Sequence, residues 1–504
     1  MQNHDITALE LAAQKNNDEI VDLLLSQGQK SIECRAFSHC FRLAKIVIPS
    51  SITKIDQYAF NGCLSLVEIS IPSSVTIICK GAFKRCAFTK ILIHSTVTSI
   101  CEEAFTSCNF LKEIIFEKPC SLKSIEPKTF EGCMSLTQLT IPMSVISIGK
   151  FSFGSCRKLT EVNFEVPSSL KTIGDYSFYC CPKLKQIDIP SSVESIGKNA
   201  FGKCTKLTID EQNKSMNQVI IPSTSNVIGE EAFAKCHLLR ECIFDSPSSV
   251  KHIGNSCFYG CNQLVQIVIP SSVLSIGSYS FCDCSSISQI SFATPSSIKL
   301  IEKFCFSKCT SLKQITIPSS VESICERAFD GCSSLAEVVF ESPSSIKIIG
   351  SFLFNECSSL TQITIPSSFQ SLSEFMFNKC NHLSEIFFEC PSSVKSIRSY
   401  CFNECPALNE ISIPSSLQSL SEYVFNKCSH LSKIFFECPS SVKSIGSHCF
   451  NECSELNEIQ IPSSVSSIAK YAFNGCISLE QLLLPPNLYK IKSFTFRDSI
   501  STKN

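Results

Sequence analysis

Phenylalanine and cysteine recur along this chain in one frame, Phe-x-x-Cys, from Phe37–Cys40 and Phe60–Cys63 to Phe473–Cys476, nineteen pairs in all; Phe496 opens a twentieth that ends in Ser499. Five residues before each Phe stands an aliphatic side chain, from Ile32 and Ile55 through Leu372 and Leu420 to Ile491. A position so uniform within one chain is one that packs. After most of the cysteines comes a segment such as Leu360-Thr-Gln-Ile363-Thr-Ile365-Pro366. Its closing alternation has the two-residue period of a strand with one buried face, and the proline ends it.

A unit of 23 to 25 residues with one short strand cannot bury its apolar side alone. It must stack on copies of itself, which predicts a repeat solenoid with a parallel sheet along one face. At about 4.8 Å per strand, some twenty coils extend roughly 95 Å. Long and short coils alternate through most of the chain. The last inward strand residue of the 25-residue coils is Phe (Phe116, Phe164, Phe244, Phe292, Phe340, Phe388 and Phe436), where short coils have Ile, as at Ile317, Ile365 and Ile413. The two extra residues precede the proline. A larger ring at that rim needs a wider bend to avoid overpacking, so ring size and loop length are expected to be coupled. Between Phe201 and Phe233 the spacing grows to 32 through a polar insertion near 208–218, which reads as a surface loop or, alternatively, as a hinge or recognition loop.

Counting the Leu after each Cys as the first position, the second, third and fifth point outward and escape the packing constraint. The third is polar throughout, as at Glu337, Gln362, Glu385, Glu410, Lys433 and Glu458, and the fifth is apolar on most long coils, as at Val339, Phe387 and Phe435. These nine are the candidate binding residues, with Phe387 and Phe435 expected to point out and Phe388 and Phe436 to point in. A polar field with aromatic anchors about 10 Å apart suits a protein or glycan partner better than a small molecule, which needs one deep pocket. The plainer alternative is an ordinary solvated sheet face.

Charge narrows the partners. With 44 Lys and Arg against 45 Asp and Glu, the chain has no cationic excess for polyphosphate, and nucleic acid is not expected. At 44% apolar it is too hydrophobic for disorder. No run of about 18 apolar residues offers direct membrane insertion. The first residues show no basic patch followed by an apolar core, so the expected location is cytoplasmic.

The 33 cysteines then read as reduced thiols. Side chains in a stacked column run parallel, which is poor disulfide geometry, so each column Cys is expected to act as a small buried hydrophobe. Serine there would add an unsatisfied hydroxyl. Cys257, Cys305, Cys401 and Cys449 stand where other coils have Ala, and their Cys-x-x-x-Cys pairs lack the second pair that zinc needs. Cys390 and Cys438, beside Pro391 and Pro439, are the thiols expected to be exposed. No catalytic motif occurs in a usable context, and no cofactor or metal is expected.

The pattern LxxIxIPSSVxxIGxxAFxxC, over residues 31–499, resembles the BspA-like branch of the leucine-rich repeats. The resemblance implies a curved solenoid with the sheet on one face and short turns or helical segments on the other, used for binding, often as a surface antigen or adhesin, and without enzymatic activity. Residues 5–28, with Asp5-Ile-Thr-Ala-Leu-Glu-Leu-Ala-Ala13 and Glu19-Ile-Val-Asp-Leu-Leu-Leu25, resemble the two helices of an ankyrin repeat, with Gly28 as a C-terminal stop. The expected layout is a partial ankyrin repeat or helical cap at 1–30, about twenty repeats at 31–499, and a tail at 500–504. The expected function is a noncatalytic, monomeric interaction scaffold that binds a protein or glycan. The rivals are a cell-surface adhesin or surface antigen exported without a visible signal, and a thiol-rich metal or redox protein.

Overall fold

The computed structural model describes residues 11–12, 15, 28–207, 218–486, 488, 490–492 and 495–496. The chain forms two compact units, Met1–Val250 and Lys251–Asn504, each built of stacked coils. The ankyrin-like segment and the insertion near 208–218 lie almost wholly outside the described residues, as does the tail. Of the first of these, Lys15 N–H donates to the Leu11 carbonyl at 3.2 Å, one helical turn, and Gly28 has a φ of 79°.

Among the described residues, successive coils contribute two strands each rather than one. In the C-terminal unit Gln314–Ile317 is followed by Ser323–Ile324, and these stack in parallel on Glu337–Phe340 and Ile348–Ile349 of the next coil. The N-terminal unit repeats this, with Gln138–Ile141 on Glu161–Phe164 and Ser147–Ile148 on Thr172–Ile173. The register sets like on like. Gln314 faces Glu337 and Ile315 faces Val338, so β-branched side chains fill the inner face while polar ones stay out.

Opposite the long strands, where short turns or helical segments were expected, the described residues form turns, and these carry a third backbone ladder. Among the described residues that side of the coil is made of tight turns, two per coil, each with a left-handed residue such as Phe304 (φ 54°) and Lys308 (φ 59°). The turns stack as strands do: Phe304, Phe306 and Lys308 donate their N–H groups to Glu326, Ala328 and Asp330 of the next coil at 3.0, 2.8 and 2.7 Å. With so much backbone paired between coils, no helix is needed to satisfy it.

The core is a set of single-residue columns. In the N-terminal unit Phe37, Phe60, Phe83 and Phe105 stack nearly parallel with centroids 4.9, 5.2 and 5.3 Å apart. In the C-terminal unit Phe377, Phe402, Phe425 and Phe450 do so at 5.3, 5.4 and 5.4 Å. The aliphatic column of Ile32, Ile55 and Ile78 lies alongside, fully buried, as does the column of cysteines. Those thiols are more than apolar filler. Cys63 Sγ donates to the Phe37 carbonyl at 3.0 Å, Cys86 to Phe60 at 3.1 Å, Cys332 to Phe306 at 3.2 Å and Cys405 to Phe377 at 3.0 Å. Reading Cys only as a small hydrophobe missed this S–H donor.

Candidate interaction face

The long strands of the C-terminal unit carry all nine candidate residues, and all nine are exposed: Glu337, Val339, Gln362, Glu385, Phe387, Glu410, Lys433, Phe435 and Glu458. Strand pleating does this directly. In Glu385–Phe388 the inward Ile386 is 6% exposed and the outward Phe387 is 50% exposed; Ile434 and Phe435 repeat the pair at 6% and 50%. Phe388 and Phe436, expected to point in, lie on the inward side of the strand but are only half-buried. They sit at the rim where the chain bends away. The equivalent Phe340 packs edge-on against Phe369, centroids 5.4 Å apart.

Register places a small hydroxyl beside each ring: Thr364 faces Phe387 and Ser412 faces Phe435. Lys433 lies between Glu410 and Glu458 in the ladder, with its ammonium 3.9 Å from Glu410. Glu337, Glu385 and Glu458 form no ion pair among the described residues. At four equivalent positions of the N-terminal unit the charges are matched, Lys45 with Glu68 at 2.7 Å and Lys90 with Glu113 at 3.1 Å, while Glu161 accepts from Asn163 Nδ2 at 2.8 Å. Around Phe435 the surface deepens into a groove of about 1040 Å³, lined by Phe436, Cys438, Pro439, Pro462, Leu483 and Leu484 among others.

Three features escaped sequence reasoning. Glu341, Glu389 and Glu437, at the long bends, accept the backbone N–H of Ser319, Ser367 and Ser415 at 2.9, 2.8 and 3.0 Å. The two-residue insertion thus brings in a carboxylate cap as well as making room for a ring. The second is a buried amide ladder, in which Asn378, Asn403, Asn426 and Asn451 each donate Nδ2 to the Oδ1 of the Asn one coil earlier at 2.6 to 2.7 Å. The recurrence of Asn directly after the column Phe was its signal. The third is an aromatic column at the left-handed turn positions: Phe352, Phe375, Tyr400, Tyr423 and His448 stack with centroids 4.5 to 4.6 Å apart. Arg327 caps that column, its guanidinium 4.0 Å from the Phe352 centroid.

Cys390 and Cys438 are exposed, as expected, while burial pushes column thiols such as Cys108, Cys332 and Cys428 up to about 12. A thiol held protonated is neither a good nucleophile nor a metal ligand. Among the described residues no group of three or more His, Cys, Asp or Glu could hold a metal ion. No helix of the described residues is long and apolar enough to cross a membrane. His382 and His430 lie exposed, with His430 3.7 Å from Glu455.

A family model, the BspA type leucine rich repeat region (6 copies), matches residues 30–126, 123–215, 211–336, 291–390 and 387–503. No curated protein matches the chain. Among solved structures, a leucine-rich repeat protein from Bacteroides ovatus is 29% identical, with 72% of this chain and 88% of that chain covered at a TM-score of 0.60. A leucine rich cell surface protein from Faecalibacterium prausnitzii is 24% identical over 69% and 88%, with a TM-score of 0.38. The pneumococcal vaccine antigen PcpA is 19% identical over 78% and 89%, with a TM-score of 0.40.

Proposed function

The chain belongs to the BspA-type leucine-rich repeat family, and we propose that it works as a noncatalytic interaction scaffold whose long-strand face in the C-terminal unit binds a protein partner. The observation that carries this reading is the pair Phe387 and Phe435, each 50% exposed on a regular face whose inward neighbours are almost fully buried. Large aromatic side chains held by a rigid sheet are the usual anchors of a protein interface, because little side-chain entropy is lost when they are covered. The thiols that donate S–H bonds within the core need the reduced state, which a cytoplasmic location keeps without further help. The cell-surface alternative has its own test: protease applied to intact cells removes a surface protein and spares a cytoplasmic one.

The test of the face is site-specific photo-crosslinking in cells. A photoreactive residue at Glu385 or Glu410 is expected to trap one discrete protein partner, while the same group at exposed Lys395, beside the short strand Ser396–Ile397, traps none. Equal trapping from both places, or none from Glu385 and Glu410, contradicts the reading.

A further inference from the structure

Resting on that reading of the face, we propose that its partner is a basic, extended polypeptide segment with an apolar side chain at every third residue. Charge selects the class. The third strand position holds Glu337, Glu385, Glu410 and Glu458 against one ammonium, Lys433, and that ammonium is already shared with Glu410 at 3.9 Å. At the same position the N-terminal unit has two Lys–Glu pairs, Lys45–Glu68 and Lys90–Glu113, whereas these C-terminal strands set four carboxylates against one ammonium. A second copy docking through this face would set carboxylate against carboxylate, and a neutral glycan would leave the carboxylates without countercharge.

Spacing selects the conformation. Val339, Phe387, Phe435 and Leu483 hold one outward position in alternate coils, all between 42% and 56% exposed, which sets apolar anchors about 10 Å apart. A polyproline II segment turns once every three residues and rises about 9.3 Å in doing so, bringing every third side chain to one edge. A β-strand would send successive third residues to opposite faces. The polyproline II backbone also leaves its carbonyls unpaired, and the exposed Thr364 and Ser412, in register with the two rings, offer hydroxyl donors between the anchors.

The experiment titrates the full chain into a fluorescent peptide of five Leu-Lys-Pro repeats and follows anisotropy, beside matched Leu-Glu-Pro and Ser-Lys-Pro peptides. The basic leucine peptide is expected to bind at least about tenfold more tightly than either control, and to weaken as salt rises. E385Q/E410Q and F387A/F435A are each expected to weaken it at least about fivefold while melting curves stay unchanged, since all four side chains are exposed. Equal binding of the leucine and serine peptides, affinity unmoved by either double variant, or no binding at all overturns the proposal. In the last case crosslinks from Glu385 and Glu410 tell the two failures apart: if they still form, the face is an interface and the basic class is wrong, and if they do not, the reading of the face has failed as well.

Discussion

The thiol of Cys63 donates a hydrogen bond to the carbonyl oxygen of Phe37, one coil earlier, at 3.0 Å. The same carbonyl accepts the N–H of Cys40, within its own coil, at 3.2 Å. A Cys at this position therefore ties successive coils together as well as filling space, and the role recurs in both units. Its consequence is measurable at Cys357, which bonds the Phe329 carbonyl at 3.3 Å. Cys357→Ala and Cys357→Ser should each cost about 1 to 3 kcal/mol in chemical denaturation, with serine no worse than alanine because an acceptor awaits its hydroxyl. If serine proves worse by more than about 1 kcal/mol, the column is only apolar filling, and its hydroxyl is stranded.

Alkaline pH should unfold this protein early. Burial pushes Cys108, Cys156, Cys204, Cys332 and Cys428 up to about 12, whereas thiols of the unfolded chain ionise near about 8.5. For groups whose folded value is raised, the stabilisation is fully present below the unfolded value and is lost as pH climbs toward the folded one. Each buried thiol then removes about 1.4 kcal/mol per pH unit above roughly 8.5. The urea midpoint is expected to hold between about pH 6 and 8 and to fall steeply beyond 8.5. A midpoint level up to about pH 10 contradicts this.

Breaking the asparagine ladder inside should hurt more than trimming its end. Asn403 donates to Asn378 and accepts from Asn426, both at 2.6 Å, so Asn403→Ala leaves two buried amide groups without this partner and should cost about 1 to 3 kcal/mol. Asn474 donates to Asn451 at 2.7 Å, and Asn474→Ala leaves one. Equal losses of stability for the two variants would show that the ladder carries no more than local contacts.

The long bend now has two reasons to exist, and a double-mutant cycle separates them. Deleting Glu389 and Cys390 removes the acceptor of the Ser367 N–H, bonded at 2.8 Å, as well as crowding the Phe388 ring. In a Phe388→Ile background the deletion should therefore still cost about as much as Glu389→Ala alone, on the order of 1 kcal/mol. A deletion without cost in that background would mean that ring size alone sets the loop.

What the sequence made legible follows from repetition. Columns that must pack, such as Phe37 to Phe473, cannot vary, and the two-residue period of Glu385–Phe388 fixed which of two adjacent phenylalanines faces water. What stayed hidden was either too short or too polar for such reasoning. Ser323–Ile324 is a two-residue strand and cannot display an alternation. The pairing of Glu389 with Ser367, and of Asn403 with Asn378, depends on how side chains of different coils meet, which spacing alone does not state. The half-burial of Phe388 reflects its place at the rim, where pleating still directs the ring inward but less of the next coil covers it.

On this reading the outward rings bind and the inward columns fold. Phe387→Ala with Phe435→Ala, compared with the single variant Phe402→Ala, tests it most directly when thermal stability and affinity for the crosslinked partner are measured on the same samples. Phe402 is fully buried between Phe377 and Phe425, so its truncation should cost about 3 to 5 kcal/mol. The double variant should keep the wild-type melting temperature and lose more than about 2 kcal/mol of binding energy. Unfolding of the double variant, or a folded double variant that binds as tightly as wild type, would contradict the claim.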